Sequence, residues 1–303
     1  MSQALPVWRS MLFVPVTVEK YVARAAERGA DALILDLEDS VPLAEKPRGR
    51  EVLQDAAATV ARNGADVVVR INRPLRLAIP DIEAAVSPAV HALMLTKVES
   101  AEHVRMLAEV VDELEAQRGM ALGATKFVAL VETASGFLRM SEIARAHPRL
   151  VALSIGAEDF ALSLGMLPEA EGLFFPKQQM IIAARAAGIL PLGFIGTVAD
   201  FRDLDAFRLT IRRSRRLGFV GASCIHPSQV AILNEEYRPS RDEVAAAERA
   251  VAAYDAAAAA GIGAIELDGK MIDVPVIERA KQVLARHRAV LTREAKAEAR
   301  AKG

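Results

Sequence analysis

The sequence has one cysteine, almost no net charge and no long apolar run, and each shortage narrows the class of protein. Cys224 is the only cysteine among 303 residues, which excludes an internal disulfide. With 38 basic and 39 acidic residues, the net charge of −1 gives no argument for binding nucleic acid or a membrane. No run of about 18 apolar residues could span a bilayer. The hydrophobic content reaches 52% because alanine is abundant, which indicates helices.

Two kinds of motif are also missing. The start MSQALPVWRS lacks a basic segment followed by an apolar core, so we expect a cytoplasmic protein. The histidines form no close pair and no HxxxH motif, which argues against a zinc site. His226, in CIHPSQ, is a candidate base, with a structural hydrogen bond as the alternative. The five histidines are His91, His103, His147, His226 and His287.

A repeated unit fills most of the chain: a short apolar run, a polar or Gly/Pro break, then a segment with helical periodicity. Strict alternation of strands and helices favours a parallel sheet, and eight units favour a (β/α)8 TIM barrel. An open doubly wound sheet is the alternative, but the Gly-rich turn typical of its first strand is absent from FVPVTVEK. The apolar runs are 11–15, 32–37, 67–71, 92–96, 127–132, 151–156, 190–195 and 219–225. Helical segments include 18–29, 47–62, 101–118, 176–187 and 204–217.

The composition changes after the eighth run. Segment 242–260 predicts a strong helix ended by Gly261, and GIGAIELDGKMIDVP predicts a hairpin around an Asp-Gly turn. A final helix is expected from about 275 to 298. We therefore divide the chain into a barrel domain, 1–235, and a C-terminal appendage, 236–303. The appendage is too small for its own core, so we expect it to pack on the barrel or on a neighbouring subunit.

Two carboxylates stand where apolar runs end. Glu132 follows FVALV, and Asp159 lies in GAEDF after the next run. Either one alone could cap a following helix, in the second case one starting near Phe160. Catalytic groups of a barrel gather at the C-terminal ends of its strands, so we expect the two to meet. A site of few oxygen ligands, with room for water and substrate, suits Mg²⁺ or Mn²⁺ rather than Zn²⁺.

Further charged residues occupy similar positions. Arg70 closes VVVRIN, where its guanidinium could form a salt bridge to Asp36 or Glu38, or hold a substrate carboxylate or an enolate oxygen. The acids of LDLEDSV, Asp36, Glu38 and Asp39, cannot all bind metal, so at least one is expected to order Arg70, Lys97 or a metal-bound water. For Lys97 we favour an electrostatic role over a Schiff base, because nearby acids keep an amine protonated.

Several segments together resemble one family. RSMLFVP, ALILDLEDSV, VRIN, LTKVES, LVETASG, SIGAEDF, LGFVGASCIHPSQV and DGKMIDVPV occur in an order similar to the citrate lyase β-subunit-like (CitE-like) group of the HpcH/HpaI aldolase superfamily, which is related to malyl-CoA and citramalyl-CoA lyases. The resemblance spans residues 9 to about 280. It implies a TIM barrel that binds Mg²⁺ through Glu132 and Asp159. It also implies a lyase that cleaves or forms a carbon–carbon bond in a 3-hydroxyacyl thioester, releasing an acetyl-type thioester and a 2-oxo acid.

The resemblance also implies roles for individual residues. Arg70 would hold the carboxylate or thioester oxygen of the substrate. Gly156, Ala157 and Glu158 would contact the substrate beside the metal. Asp273, the aspartate of MID, would transfer a proton to or from the enolate carbon across a subunit interface. A homotrimer or homohexamer is therefore expected.

Binding of a CoA thioester should require basic residues outside the barrel mouth, meaning the C-terminal ends of the strands, to contact the nucleotide phosphates. The candidates for CoA phosphates are Lys20, Arg24, Lys46 and Arg48, with Pro15 in the adjoining loop; a charged helix face is the alternative explanation. The chain departs from the family at Val16, where the group reads LFVPG, and at PLGFIGTVADF, where relatives place an aspartate. Two other functions remain: a class II aldolase on free 4-hydroxy-2-oxo acids, and a noncatalytic lyase-like subunit that binds an acyl carrier protein.

Overall fold

Eight parallel strands form a single sheet in the computed structural model, which describes residues 5–197, 202–261 and 263–302. Their order in the sheet is β7-β6-β5-β4-β3-β2-β1-β8. Beyond the edge strands, Leu192 pairs in parallel with Gly221, which brings the ends of the sheet together. The predicted (β/α)8 TIM-barrel fold is confirmed. The strands are β1 (Ser10–Pro15), β2 (Ala32–Asp36), β3 (Asp66–Ile71), β4 (Ala92–Leu95), β5 (Lys126–Val131), β6 (Leu150–Ile155), β7 (Leu190–Pro191) and β8 (Ala222–Cys224).

Helices follow the strands as the periodicity predicts, with two differences. The predicted helix 47–62 is two helices separated at Val52, and the helix predicted from 176 begins at Ala170, so that Pro176 lies within it. Pro176 has no N–H to donate, but its ring is buried with the apolar face of that helix. The helices are α1 (Glu19–Ala25), α2 (Lys46–Glu51), α3 (Leu53–Val60), α4 (Leu75–Ala85), α5 (Ala101–Gln117), α6 (Ala134–Leu138), α7 (Met140–Ala144), α8 (Ala157–Leu164), α9 (Ala170–Ala187), α10 (Leu204–Leu217) and α11 (Ser228–Glu236).

Alternation along the strands divides the core into two layers. On β2, Leu33 and Leu35 belong to the large apolar cluster between strands and helices, whereas Ala32 and Ile34 belong to a smaller cluster with Met11 and other strand residues. The smaller cluster fills the interior of the barrel with side chains. The barrel is therefore a packed core rather than a channel, and polar side chains are confined to its two ends.

The chain divides into two compact units: one comprises Met1–Tyr237 together with Arg300–Gly303, and the other spans Arg238–Ala299. The second unit contains α12 (Arg241–Ala259), the hairpin β9 (Ile265–Leu267) and β10 (Lys270–Ile272), and most of α13 (Val274–Lys302). The Asp268-Gly269 turn has positive φ at both residues, 52° and 72°, as a tight hairpin turn requires. Packing of the appendage on the barrel or on a neighbouring subunit stays a prediction. Within the described residues, no helix is long and apolar enough to cross a membrane.

Candidate active site

A cavity of about 470 Å³ lies at the C-terminal ends of the barrel strands. It joins residues from seven strand exits and from α9, although these residues are far apart in the sequence. Parallel strands carry their C-terminal ends to one face of the sheet, which is why the polar run ends meet here. Of the predicted site residues, the cavity is lined by Pro15, Asp36, Asp39, Arg70, Glu132, Gly156, Ala157, Glu158 and Asp159.

The two predicted metal carboxylates come from adjacent strands. Glu132 is the first residue after β5, and Asp159 is the third residue of α8, which follows β6. The register pairs Val131 with Ile155, so the two strand exits lie side by side. Glu132 is 4% exposed, whereas the Asp159 side chain is 35% exposed. One carboxylate is therefore fixed in the wall, and the other faces the opening.

Neither carboxylate is used as a helix N-cap. The helix after Glu132 is capped by Thr133, whose hydroxyl accepts a hydrogen bond from the Gly136 N–H at 3.1 Å. The helix expected to start near Phe160 begins at Ala157 instead, which places Asp159 inside its first turn. The capping alternative for these two acids is thus not what the structure shows.

Gly156 allows the Glu132 carboxylate to lie against the exit of β6. A Cβ at position 156 would lie 2.7 Å from the Glu132 Cγ and would also overlap its Oε1. No side chain other than hydrogen fits there unless Glu132 moves. The geometry of the acidic pair therefore depends on this glycine.

Burial gives Glu132 an unusual proton affinity. Desolvation, together with the nearby charges of Glu38 and Asp159, raises its pKa to about 7, against the charge of Lys97 and the hydrogen bond from the Lys97 N–H at 2.7 Å. A bound cation would relieve this excess of negative charge. Among the described residues, no three His, Cys, Asp or Glu side chains converge as a complete metal site. Two carboxylates with positions left for water and substrate fit Mg²⁺, which keeps several of its waters.

Lys97 connects the acids of the mouth. It has a left-handed backbone, with φ of 48°, and its Nζ lies 2.7 Å from Glu38 Oε1 and 3.2 Å from Asp159 Oδ2. Burial lowers the pKa of Lys97, but the hydrogen bond and charge of Glu38 outweigh it and hold that pKa above its usual value. The amine is thus protonated, which agrees with an electrostatic role and not with a Schiff base.

Arg70 is held by an ion pair in the same wall. Its Nε and Nη2 each donate to Asp36 at 2.7 Å, and its Nη1 lies 2.9 Å from Glu38 Oε2 and 3.4 Å from Asp39 Oδ2. Its Cζ lies 4.7 Å from the centre of the Phe13 ring. Burial raises the pKa of Asp36, but the hydrogen bonds and charge of Arg70 outweigh it and lower that pKa. The salt bridge is present, and the guanidinium also lines the cavity.

Lys46 and Asp273 are among the predicted residues that do not line this cavity. Lys46 is 6% exposed, and its Nζ donates to the carbonyls of Leu37 at 2.7 Å and Glu38 at 2.6 Å. Its ammonium is buried and engaged by two carbonyls, and the prediction that it binds a CoA phosphate stays a prediction. Asp273 belongs to the second unit, where its Oδ1 accepts from the Val276 N–H at 3.3 Å.

The remaining predicted residues are accessible. Lys20 is exposed on α1, and Glu158 is exposed at the cavity rim, where it accepts a hydrogen bond from the Thr197 hydroxyl. His226 is exposed, with its Nδ1 2.7 Å from the Ser228 hydroxyl. This contact agrees with the structural alternative for His226.

Lys177 lines the cavity but was not predicted. It lies on the inner face of α9, between the buried residues Leu173 and Met180. The available signal was a lysine at the position of a helical stripe where an apolar residue is expected.

The fold and the acidic pair at the barrel mouth are typical of a TIM-barrel enzyme that binds a hard cation. The HpcH/HpaI aldolase/citrate lyase family profile matches residues 9–227, and the chain belongs to this family. The predicted family and the prediction of a carbon–carbon lyase are both confirmed.

Named relatives extend over nearly the whole chain. Citrate lyase subunit beta of Escherichia coli strain K12 is 36% identical over 281 residues, covering 92% of each chain. L-malyl-CoA/beta-methylmalyl-CoA lyase of Rhodobacter capsulatus is 33% identical over 300 residues, covering 91% of this chain and 93% of that protein. The crystal structure of protein CitE from Mycobacterium tuberculosis, in complex with magnesium, acetoacetate and coenzyme A, is 33% identical, with a TM-score of 0.73, and covers 95% of this chain and 99% of that chain.

Proposed function

We propose that the protein is a Mg²⁺-dependent lyase acting on a 3-hydroxyacyl thioester of the malyl, citramalyl or citryl type. The products are an acetyl-type thioester and a 2-oxo acid, and the reverse reaction is a condensation. The observation that carries this proposal is that Glu132, which lies against Gly156, and Asp159 line one cavity. The magnesium and coenzyme A in the structure of the M. tuberculosis relative support it.

Residues at the barrel mouth would have separate roles in binding the cation, the enolate oxygen and the substrate carboxylate. Glu132 and Asp159 would hold the cation, which supplies Lewis acidity to the substrate hydroxyl and carboxylate when bound. Arg70 places a fixed positive charge in the wall, where an enolate oxygen develops during cleavage. The first-turn N–H groups of α8, at Ala157 and Glu158, lack partners four residues back in the helix and offer donors to a carboxylate.

A second cavity supports a thioester rather than a free acid. It also measures about 470 Å³ and shares Phe13, Pro15 and Ile225 with the first, so one ligand could extend from the mouth into it. Its lining includes three basic side chains, Lys20, Arg24 and Arg28. Basic side chains in a cavity that adjoins the acidic one suit the phosphates of a CoA-type carrier.

This second cavity can be tested separately from the reaction. The double variant Arg24→Ala/Arg28→Ala should raise the KM for a CoA thioester and leave Mg²⁺-dependent binding of a free 2-oxo acid unchanged. Steady-state kinetics and calorimetry measure the two properties. An unchanged KM would place the carrier elsewhere.

Asp273 is proposed as the acid or base at the enolate carbon, supplied by a neighbouring subunit. This arrangement requires an oligomer, and a homotrimer or homohexamer is the expected state. Co-assembled Asp273→Ala and Glu132→Ala proteins, each nearly inactive alone, should regain partial activity, since some sites then combine both intact residues. Mixed oligomers without activity would show that Asp273 does not act in trans.

The experiment that tests the function is a substrate panel. The protein is incubated with Mg²⁺ and malyl-, citramalyl- and citryl-thioesters, and with free 4-hydroxy-2-oxo acids, while 2-oxo acid release is followed. We expect release from a thioester, with none after addition of EDTA or in Glu132→Ala. Turnover of the free acids alone would identify a class II aldolase. No turnover, combined with binding of an acyl carrier protein, would identify the noncatalytic subunit.

A further inference from the structure

Lys177 is a buried cation in the wall of the mouth cavity, and the chemistry proposed above does not use it. The residue is 4% exposed, and its Nζ donates to the carbonyls of Phe194 at 2.6 Å and Gly196 at 2.5 Å. It lines the same cavity as Glu132 and Asp159. An ammonium group has three donors, so two carbonyls leave one N–H for another partner.

Within the described part of the chain, the charge of Lys177 has no counter-ion. None of the described carboxylates forms an ion pair with it, whereas Arg70 already contacts Asp36, Glu38 and Asp39. Burial lowers the pKa of Lys177 to about 7, and only the distant charge of Glu158 opposes the shift. A buried ammonium without an anion is costly, and an anionic ligand would remove that cost. Lys177 is thus a cation in this cavity that an anionic ligand could neutralise.

The position of Lys177 defines which end of a ligand it would meet. Its two carbonyl partners follow β7, while Arg70 lies on β3. Strands three and seven are opposite each other in a ring of eight, and the acidic pair follows β5 and β6, between them. A ligand held at the acidic pair therefore has Arg70 on one side and Lys177 on the other. The wall near Lys177 also contains Gly193 and Gly196.

We propose that Lys177 is a specificity-determining residue whose ammonium binds a second carboxylate on the oxo-acid half of the substrate. If Lys177 has this role, the preferred substrate is one whose cleavage releases a dicarboxylic 2-oxo acid rather than a monocarboxylic one. This inference rests on the proposed function, because it assumes that the oxo-acid half binds at Glu132 and Asp159. A role in which Lys177 only fastens the loop after β7 would not discriminate between the two kinds of acid.

The test compares two 2-oxo acids that differ by one carboxylate. Binding of freshly dissolved oxaloacetate and of pyruvate is measured by calorimetry in Mg²⁺, for the wild-type protein and for Lys177→Met and Lys177→Arg. We expect wild type to prefer oxaloacetate and Lys177→Met to lose about tenfold to a hundredfold in affinity for it, as for a lost charged hydrogen bond. Pyruvate affinity should stay unchanged, and Lys177→Arg should recover part of the preference.

Lys46→Met provides a matched control. Lys46 is also a buried lysine that donates to two backbone carbonyls, but it does not line this cavity. It should leave the ratio of the two affinities as in wild type. An equal loss for both acids in Lys177→Met would overturn the inference and make Lys177 structural. Reductive trapping of a 2-oxo acid on Lys177 by borohydride would also overturn it. Failure of both acids to bind wild type in Mg²⁺ would instead reject the proposed function, and the inference with it.

Discussion

The two ends of the barrel each contain a buried arginine among acids, but they balance charge differently. At the end where strands begin, Arg149 contacts Glu115, with Nη1 to Oε1 at 2.9 Å, and also pairs with Asp112. Burial raises the pKa of Glu115, yet hydrogen bonds from Arg149 and from the N–H groups of Thr125 and Gly123 lower it to about 2. At the other end, the pKa of Glu132 rises to about 7.

The difference lies in the number of donors available to each acid. Glu115 accepts from two backbone N–H groups and one guanidinium, so its charge is fully compensated. Glu132 accepts from the Lys97 N–H and lies near two further carboxylates. A cluster whose negative charges are matched by donors stabilises the fold. A cluster with an excess of negative charge would instead favour binding of a cation. The same residue types therefore serve stability at one end and, in the proposed function, cation binding at the other.

The largest effect is expected from Glu132→Gln. Activity should fall by about a thousandfold or more, because one of the two carboxylates proposed to bind the metal is lost. Without metal the variant should nevertheless be more stable than wild type at pH 8. The raised pKa of Glu132 means that its contribution to stability is present below pH 4.5, its ordinary pKa, and is lost as the pH rises through about 7. Kinetic assays and thermal unfolding in EDTA measure both effects; a less stable variant would contradict this account.

Arg149→Met tests the balanced end. Removing the guanidinium leaves Glu115 buried without its main partner, and the free energy of unfolding should fall by about 3–5 kcal/mol. The specific activity of the protein that remains folded should be close to wild type, because the change is at the opposite end from the mouth. Urea denaturation and active-site titration provide the measurements. Loss of activity without loss of stability would mean that the two ends are coupled.

Arg70→Lys tests the charge in the mouth. An ammonium cannot reproduce the two-pronged contact with Asp36, so kcat/KM should fall by about a hundredfold, near 3 kcal/mol of barrier. The same substitution at the other end, Arg149→Lys, is the control and should reduce stability more than activity. Near-normal kinetics in Arg70→Lys would assign Arg70 to structure alone.

The smallest effect is a dependence of Mg²⁺ affinity on pH. With the pKa of Glu132 at about 7, the carboxyl is mostly protonated at pH 6 and must lose its proton to bind a cation. Affinity should therefore be about tenfold weaker at pH 6 than at pH 8. Calorimetry in buffers of different ionisation enthalpy should also detect proton release at pH 6. Equal affinity at both values would exclude Glu132 as the titrating ligand.

Much of the fold and part of the site could be predicted from the sequence. Strand and helix periodicity is a local property, so the eight runs were located to within a few residues, apart from the irregular ends of β7 and β8. The carboxylates at 132 and 159 could be placed at one face because parallel strands end together. Lys177 was missed, because a lysine within an apolar helix carries no local sign of the carbonyls it contacts 17 and 19 residues later.

The sequence by itself determined the order of the elements, the family and the chemical types gathered at the mouth, because these depend on neighbouring residues and on their spacing. The tertiary structure alone decided which charges are paired. It engaged Lys46 with two carbonyls, joined Arg70 to Asp36 and placed Lys177 against two carbonyls, with no acid among the described residues. The physical reason is that an ion pair depends on distances of a few ångströms and on burial, and both arise only when strands far apart in the sequence are brought into register.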